Sequence, residues 1–404
     1  MKEETLSKNT PRFRIALVGH GFMGAAHSQG WRVAPRFFDL PVHPEMALLI
    51  GRDPDRAAAA ARRWGWAESG TSWRDAIARD DIDVIDIVTP GDSHVEIAIA
   101  ALDAGKHVLC EKPLANSAEE AAAMADAAAR AATRGIYAMV GFTYRRVPAA
   151  TFARDLVASG RIGEVRQVRA AYLQDWLVDP QTPLAWRLQK HLAGSGALGD
   201  IGAHAIDLAQ FITGQQLTGV SGVMETFVPR RPLLGETSGL SGTARTTGTA
   251  GAEFGEVTVD DVALFTGRFT GGALGSFEAT RMSTGRKNAL RIEVAGSTGA
   301  LSFDLEELNS LEYYDSNAPE TLRGFTKILV TAPSHPYLSA WWPAGHTLGY
   351  EHGFTHQAKD FVEGIITETQ PEPSFAAGLQ VQRVLDAVER SANADSIWTS
   401  TSAL

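Results

Sequence analysis

The sequence predicts an α/β chain: an N-terminal doubly wound parallel sheet, then an α+β domain built on one large, open, mainly antiparallel sheet. Three observations predict it. Short continuous apolar runs alternate with helical segments as far as Val140; the first run feeds directly into glycines; and past Gly141 the rhythm changes to extended runs separated by glycine turns. Parallel neighbours need a crossover connection, and helices covering both faces supply it. With 404 residues and 44% hydrophobic content, two cores are expected, and the change of rhythm sets the domains at 1–141 and 142–404.

Phe13 to Val18 is a buried strand entering a turn, and a helix follows from Met23 to about Trp31. Arg32 to Glu45 holds Pro35, Pro41 and Pro44, so it reads as a loop. Met46 to Ile50 is the second strand; Pro54 to Trp64 is a helix with Asp53 as N-cap and Pro54 at its first position. Trp73 to Arg79 is a short helix and Val84 to Val88 a strand ended by Thr89 and Pro90. A helix over Ser93 to Ala104, capped by Gly105, leads to a strand at His107 to Cys110. Asn116 or Ser117 caps an alanine-rich helix running to about Arg134, before a strand at Tyr137 to Val140.

In the second half, Ala149 to Ser159 is helical and Val165 to Trp176 alternates as a strand does. Asp200 to Ile212 has helical spacing and ends at Gly214. Val262 to Thr270, Gly272 to Arg281, Leu290 to Gly296 and Gly299 to Phe303 form a meander. The Gly-, Ser- and Thr-rich stretch from Pro229 to Glu256 reads as a long loop, and Phe354 to Ile365 and Phe375 to Ser391 as late helices.

Net charge −10 with 21% charged residues describes an acidic surface that repels phosphate backbones, so nucleic acid is excluded as a partner. No uncharged apolar run is long enough to cross a bilayer. Met1 to Pro11 lacks the apolar core of a signal peptide, and the lone Cys110 permits no intramolecular disulfide; both point to the cytoplasm. Cys110 itself reads as a small buried hydrophobe.

Gly19-His20-Gly21-Phe22-Met23-Gly24 is a G-x-G-x-x-G between a strand and a helix. The first glycine makes the tight turn, the second lets a pyrophosphate approach the backbone, and the third lets helix and strand pack closely. The free amides and partial positive charge of the helix N-terminus favour phosphate. A dinucleotide cofactor is therefore expected, with Phe22 and Met23 in the same loop. At the end of the second strand an acid would serve NAD and a cation NADP. Gly51 stands where the acid belongs, Arg52 follows, and Asp53 is equally explained as a helix cap, so the residues themselves lean to NADP.

Val84 to Pro90 and His107 to Pro113 end at the carboxyl edge of the sheet, where open α/β sheets bind ligands. Lys112 there can hydrogen-bond a substrate hydroxyl and bias a neighbouring acid–base group. Pro113 fixes the backbone after it, with a cis bond one option. Asp200 and His204 stand four apart, on one helical face, and imidazole suits proton exchange near neutral pH. No H-E-x-x-H or cysteine cluster supports a metal.

Taken together, Gly19 to Gly24, Thr89-Pro90 with His94, Glu111-Lys112-Pro113-Leu114 and Gly196 to His204 resemble the glucose-fructose oxidoreductase, inositol dehydrogenase and MocA (Gfo/Idh/MocA) family over nearly the whole chain. The resemblance implies a Rossmann domain that binds cofactor through Gly19, Gly21, Phe22, Met23, Gly24, Arg52, Thr89, Pro90, His94, Glu111 and Lys112. It implies a catalytic Lys112, Asp200 and His204, and an open sheet supporting homodimers or homotetramers. The expected reaction moves a hydride between nicotinamide and a secondary alcohol carbon of a sugar, anhydrosugar or inositol. Similarity to the levoglucosan-dehydrogenase-like branch implies NAD; Gly51, the proline-rich insertion and the Gly/Thr-rich segment depart from the pattern. Gln174, Asp175, Trp176, Trp186 and Arg187 are candidates for the sugar pocket, since polyols ask for bidentate polar groups beside an aromatic wall. A non-catalytic NAD(P)-binding regulator and a dihydrodiol or tetrapyrrole reductase of the same fold remain the alternatives.

Overall fold

The computed structural model describes residues 12–233 and 253–402. Strands β1 (Arg12–Val18), β2 (His43–Ile50), β3 (Glu68–Gly70), β4 (Val84–Ile87), β5 (His107–Cys110) and β6 (Ala138–Val140) form one sheet in the order β3-β2-β1-β4-β5-β6. Every pairing in it is parallel. Helices α1 (Phe22–Phe37), α2 (Pro54–Trp64), α3 (Trp73–Ile77), α4 (His94–Asp103) and α5 (Ala118–Ala132) make the crossovers. The order reverses between β1 and β4, which places the ligand crevice at their carboxyl ends.

The second sheet has nine strands in the order β16-β15-β14-β13-β7-β12-β11-β8-β17. It follows α6 (Pro148–Ala158) and comprises β7 (Val165–Leu173), β8 (Leu217–Glu225), β11 (Val262–Phe269), β12 (Leu274–Thr280), β13 (Ala289–Gly296), β14 (Gly299–Asp304), β15 (Ser310–Asp315), β16 (Thr326–Leu329) and β17 (Thr399–Ser400). Only β7 and β12 run parallel among its pairs; the rest are antiparallel. The short α7 (Lys190–Ala193) and then α8 (Ala203–Thr213) lie between β7 and β8, and β9 (Arg230–Pro232) pairs with β10 (Phe254–Glu256) as a separate ribbon.

Chain contacts divide the protein into two units. The first takes in 1–114, 122–143 and 350–377; the second, 115–121, 144–349 and 378–404. A single cut after 141 had set the later segment in the second domain. The return of 350–377 has a visible cause. Helix α9 (His352–Ile366) lies along α1, with Phe361 edge-on to Trp31 at 6.3 Å between ring centroids, and Phe361, Val362 and Ile365 complete the apolar core under the parallel sheet. Helix α10 (Phe375–Ala392) follows.

Two expectations need correcting. Arg32 to Glu45 is not a loop: α1 continues to Phe37 with Pro35 inside it, and β2 begins at His43 and contains Pro44. Proline removes one donor and crowds the preceding turn, but Pro35 lies in the last turn, and Trp31 and Ala34 bury that end of the helix. Pro44 precedes the stretch of β2 that β3 reaches, Leu48–Ile50, so its missing donor breaks no pairing on that side. The stretch from Pro229 to Glu256 is not loop throughout either, because both its ends pair in the β9–β10 ribbon. There Arg231 is fully buried, donating to the carbonyls of Leu177 and Asp179. Residues 234–252 of that stretch, like the N-terminal tail read above, lie outside the described residues.

Candidate active site

Gly19 has φ +116°, and a Cβ there would stand 2.9 Å from the Val88 carbonyl oxygen. A Cβ on Gly24 would stand 2.7 Å from the Gly19 carbonyl oxygen, so this glycine permits the close pass of helix over turn. Gly21 differs: a Cβ on it would meet nothing within 4 Å. It is also the N-cap of α1, which has no side-chain cap and no acid in its first turn. Free amides facing open space are what an anionic pyrophosphate requires. Phe22 is exposed and stacks on Tyr350, whereas Met23 packs into the apolar core.

At the end of β2, a Cβ on Gly51 would lie 2.1 Å from the His20 ring. Gly51 therefore gives up its side-chain space to His20. Asp53 accepts from Arg56 N at 3.0 Å and caps α2, while Arg52 is exposed.

The ends of β4 and β5 are tied together. His94 is buried, with Nε2 at 2.9 Å from the Thr89 carbonyl and Nδ1 at 3.1 Å from the Pro113 carbonyl. Ser93 donates to Thr89 Oγ1 and to the Pro90 carbonyl. The Lys112–Pro113 bond is cis and Lys112 is half-buried. Thr89, Pro90, His94 and Lys112 thus gather at one sheet edge. Glu111 turns into the core instead, accepting from Lys112 N at 3.2 Å and facing His27 Nε2 at 3.0 Å. His27 Nδ1 lies 3.0 Å from Asp86, which also accepts from Trp31 Nε1 at 2.7 Å. Burial opposes charge on His27, but Asp86 and Glu111 outweigh it and hold its pKa up at about 10. Burial pushes the Cys110 thiol well up, with Glu111 and Asp86 adding to the effect, which leaves it unreactive.

The raised pKa of the buried His27 makes stability depend on pH. Its folded pKa lies above the unfolded 6.5, so its contribution is complete below about 6.5 and is lost as pH climbs toward about 10. The melting temperature is expected to fall between those limits, and more steeply than in His27→Gln. Equal slopes in the two proteins would show that His27 carries no proton there. Sequence reasoning passed over this network. Its signal was Asp86, a lone acid inside the apolar run Val84–Val88.

In the second unit, Asp200 and His204 do not share one regular helix. Leu198–Gly202 is a π-helical turn, and α8 starts after it, an irregularity frequent at functional sites. Asp260 anchors the turn by accepting from Gly196 N at 2.6 Å and Leu198 N at 2.8 Å. The His204 ring lies 4.5 Å from that of Tyr144 and 6.0 Å from that of Tyr172. Tyr144 OH and Tyr172 OH share a hydrogen bond at 2.8 Å, and Tyr172 OH donates to Asn288 Oδ1 at 2.7 Å. Gln174 Nε2 donates to the same oxygen, and Trp176 Nε1 donates to Gln174 Oε1, both at 2.9 Å. Arg145 clasps Asp207 of α8 with two nitrogens, fixing the segment that carries Tyr144.

Gln174, Trp176, Asp200 and His204 therefore belong to one polar and aromatic cluster. Asp175 turns to Lys287 Nζ at 2.7 Å, which holds its carboxyl below the usual range. Trp186 and Arg187 stack on each other at 4.5 Å. Tyr144, Tyr172 and Asn288 come from three separate segments, and nothing in their local sequence announces that they meet.

Residues 13–142 match the profile of an oxidoreductase family with an NAD-binding Rossmann fold, and 151–302 match the GFO/IDH/MocA C-terminal domain. The chain is 42% identical over 385 residues to levoglucosan dehydrogenase of Pseudarthrobacter phenanthrenivorans, covering 95% of this chain and 96% of that one. Among solved structures it is similar to an oxidoreductase domain protein from Kribbella flavida, with TM-score 0.92 and 58% identity over 98% of this chain and 100% of the other. It is also similar to levoglucosan dehydrogenase in complex with NADH and levoglucosan, with TM-score 0.89 and 40% identity over 96% and 99% of the two chains.

Proposed function

This chain belongs to the Gfo/Idh/MocA oxidoreductases, and from that membership we propose which residues carry its chemistry and which member of its substrate class it takes. It is an NAD(P)-dependent dehydrogenase acting on a CH–OH group of a sugar, anhydrosugar or inositol. The substrate proposed is an anhydrosugar of the levoglucosan kind, and the full-length likeness to levoglucosan dehydrogenase supports it.

The cofactor's pyrophosphate would be held by the backbone of Gly19 to Gly24 at the uncapped N-terminus of α1, with Thr89, Pro90, His94 and Lys112 shaping the sheet edge beside it and Glu111 supporting Lys112 from the core by accepting from its N–H. A nicotinamide bound there would supply the acceptor for the hydride leaving the carbinol carbon. His204 takes the hydroxyl proton, because imidazole can accept one at neutral pH. Lys112 hydrogen-bonds the same oxygen and favours its ionised form. Asp200 orients the imidazole or an adjacent hydroxyl, and Gln174 and Trp176 present an amide and a ring to the sugar. The observation that carries this assignment is the His204 ring set against two phenols whose hydroxyls are committed to each other and to Asn288. An imidazole so braced is oriented before substrate arrives.

NAD is the cofactor proposed, since levoglucosan dehydrogenase is solved with NADH. The exposed Arg52 beside the acid-free Gly51 favours NADP as a second reading. Steady-state rates with NAD⁺ and NADP⁺ against levoglucosan, inositols and aldoses decide. NAD⁺ reduction by levoglucosan is expected to exceed the other pairs at least about tenfold in kcat/KM. Faster NADP⁺ reduction supports the Arg52 reading, and no reduction by any substrate ends the assignment. We place the enzyme in the cytoplasm as a homo-oligomer. No helix of the described residues is long and apolar enough to cross a membrane.

A further inference from the structure

We propose that Arg281 is a positioning residue of the acid–base site, holding Asp200 in place and in charge from behind. The inference rests on the role given to Asp200 above.

Arg281 follows β12 and has no exposed surface. Its backbone is fixed on both sides: its N–H donates to the Asp261 carbonyl at 3.1 Å, and its own carbonyl accepts from Leu177 N at 3.2 Å. The guanidinium donates through Nη2 to the Asp260 carbonyl at 2.9 Å, and the Trp176 ring covers it at 5.6 Å. Nη1 lies 3.7 Å from Asp200 Oδ2, within ion-pair distance. Neither Nη1 nor Nε has a hydrogen-bond partner.

A guanidinium does not shed its proton in a protein, so a buried one needs an opposing charge. Asp260 lies close enough to interact with Arg281, but its two oxygens accept from the backbone N–H groups of Gly196 and Leu198. Arg231 adds a repulsion across the same region and is itself drawn to Asp261. The carboxylate toward which Arg281 turns a terminal nitrogen is that of Asp200. Arg231 makes the contrast clear. Equally buried, it directs both terminal nitrogens to backbone carbonyls, as an arginine that only braces loops does.

The consequence is electrostatic and geometric together. A cation fixed behind Asp200 stabilises negative charge there. Trp176 joins the two tasks, covering the guanidinium on one side and reaching the Gln174 amide with its ring nitrogen.

The test uses the full-length enzyme carrying Arg281→Lys, Arg281→Met, Asp200→Asn and each double variant. It reads kcat, KM, the pH profile of kcat/KM, dinucleotide affinity and the melting temperature. Arg281→Lys is expected to lower kcat about tenfold and Arg281→Met about a hundredfold, with dinucleotide affinity kept. In Arg281→Met the acid limb moves to higher pH, because Asp200 then holds its proton longer. On the Asp200→Asn background either substitution is expected to add less than about twofold, since the partner it acts through is gone. If Arg281→Met does not fold, the cycle with Arg281→Lys decides. Losses that multiply fully on Asp200→Asn, with an unmoved pH profile, reduce Arg281 to a scaffold residue and overturn the inference alone. Full activity of Asp200→Asn removes the role of Asp200 itself, and this inference with it.

Discussion

His204→Ala is expected to lower kcat/KM by about 10²–10⁴-fold, the range that a positioned general base supplies. Dinucleotide affinity should stay within about twofold of the wild type, because His204 lies in the second unit and the glycine turn in the first. Folding should survive. The ring is half-buried against Tyr144 and Tyr172, and those two phenols keep their bond to each other and to Asn288 without it. Lys112→Ala should act in the same direction by removing the donor that favours ionised oxygen. The measurements are steady-state kinetics beside dinucleotide fluorescence titration. His204→Ala retaining wild-type turnover would falsify its assignment as the base, and an equal loss of dinucleotide binding would make the effect structural.

Gly21→Ala is expected to raise the KM for dinucleotide by about 10–100-fold, corresponding to one charge-assisted hydrogen bond of about 1.5–3 kcal/mol. The melting temperature should barely change, since a methyl at Gly21 meets no neighbour within 4 Å. It would therefore act on the proposed phosphate oxygens and not on packing. Gly24→Ala is the informative contrast, because its methyl would stand 2.7 Å from the Gly19 carbonyl oxygen. That overlap should destabilise the fold by about 1–3 kcal/mol and lower the melting temperature along with affinity. Similar melting losses in both variants, or an unchanged KM in Gly21→Ala, would mean that this turn serves packing and not the cofactor.

Much of this was legible in the linear sequence because it is local. The strands from Phe13, Val84 and His107, the cap at Asp53 and the glycine turn each depend on residues within a few positions of one another. The structure places them where periodicity and capping chemistry did. Proline was the misleading signal. Pro35 and Pro44 argue for a loop, yet burial of Trp31 and Ala34 at the end of α1 and the late start of β3 let helix and strand extend through them. The catalytic candidates could be named from short motifs, but the surroundings of His204 could not. Tyr144, Tyr172, Gln174, Asn288 and Arg281 carry no common spacing; the register of β7 between β12 and β13 aligns Tyr172 and the strand ends that carry Gln174, Asn288 and Arg281, and the Arg145–Asp207 pair fixes the segment that carries Tyr144.

What the sequence alone determined is the fold class and the glycine turn between the first strand and helix, since periodicity and spacing encode them within a few residues; the acid–base residues proposed were read from short motifs and a family resemblance. What tertiary structure decided is the electrostatic setting of individual side chains: His27 set between Asp86 and Glu111, which raise its pKa, Asp175 drawn off to Lys287, and Arg281 buried behind Asp200. A group's charge depends on which others lie within a few ångströms and on how much water is excluded. Chain order does not specify either until the sheets have formed.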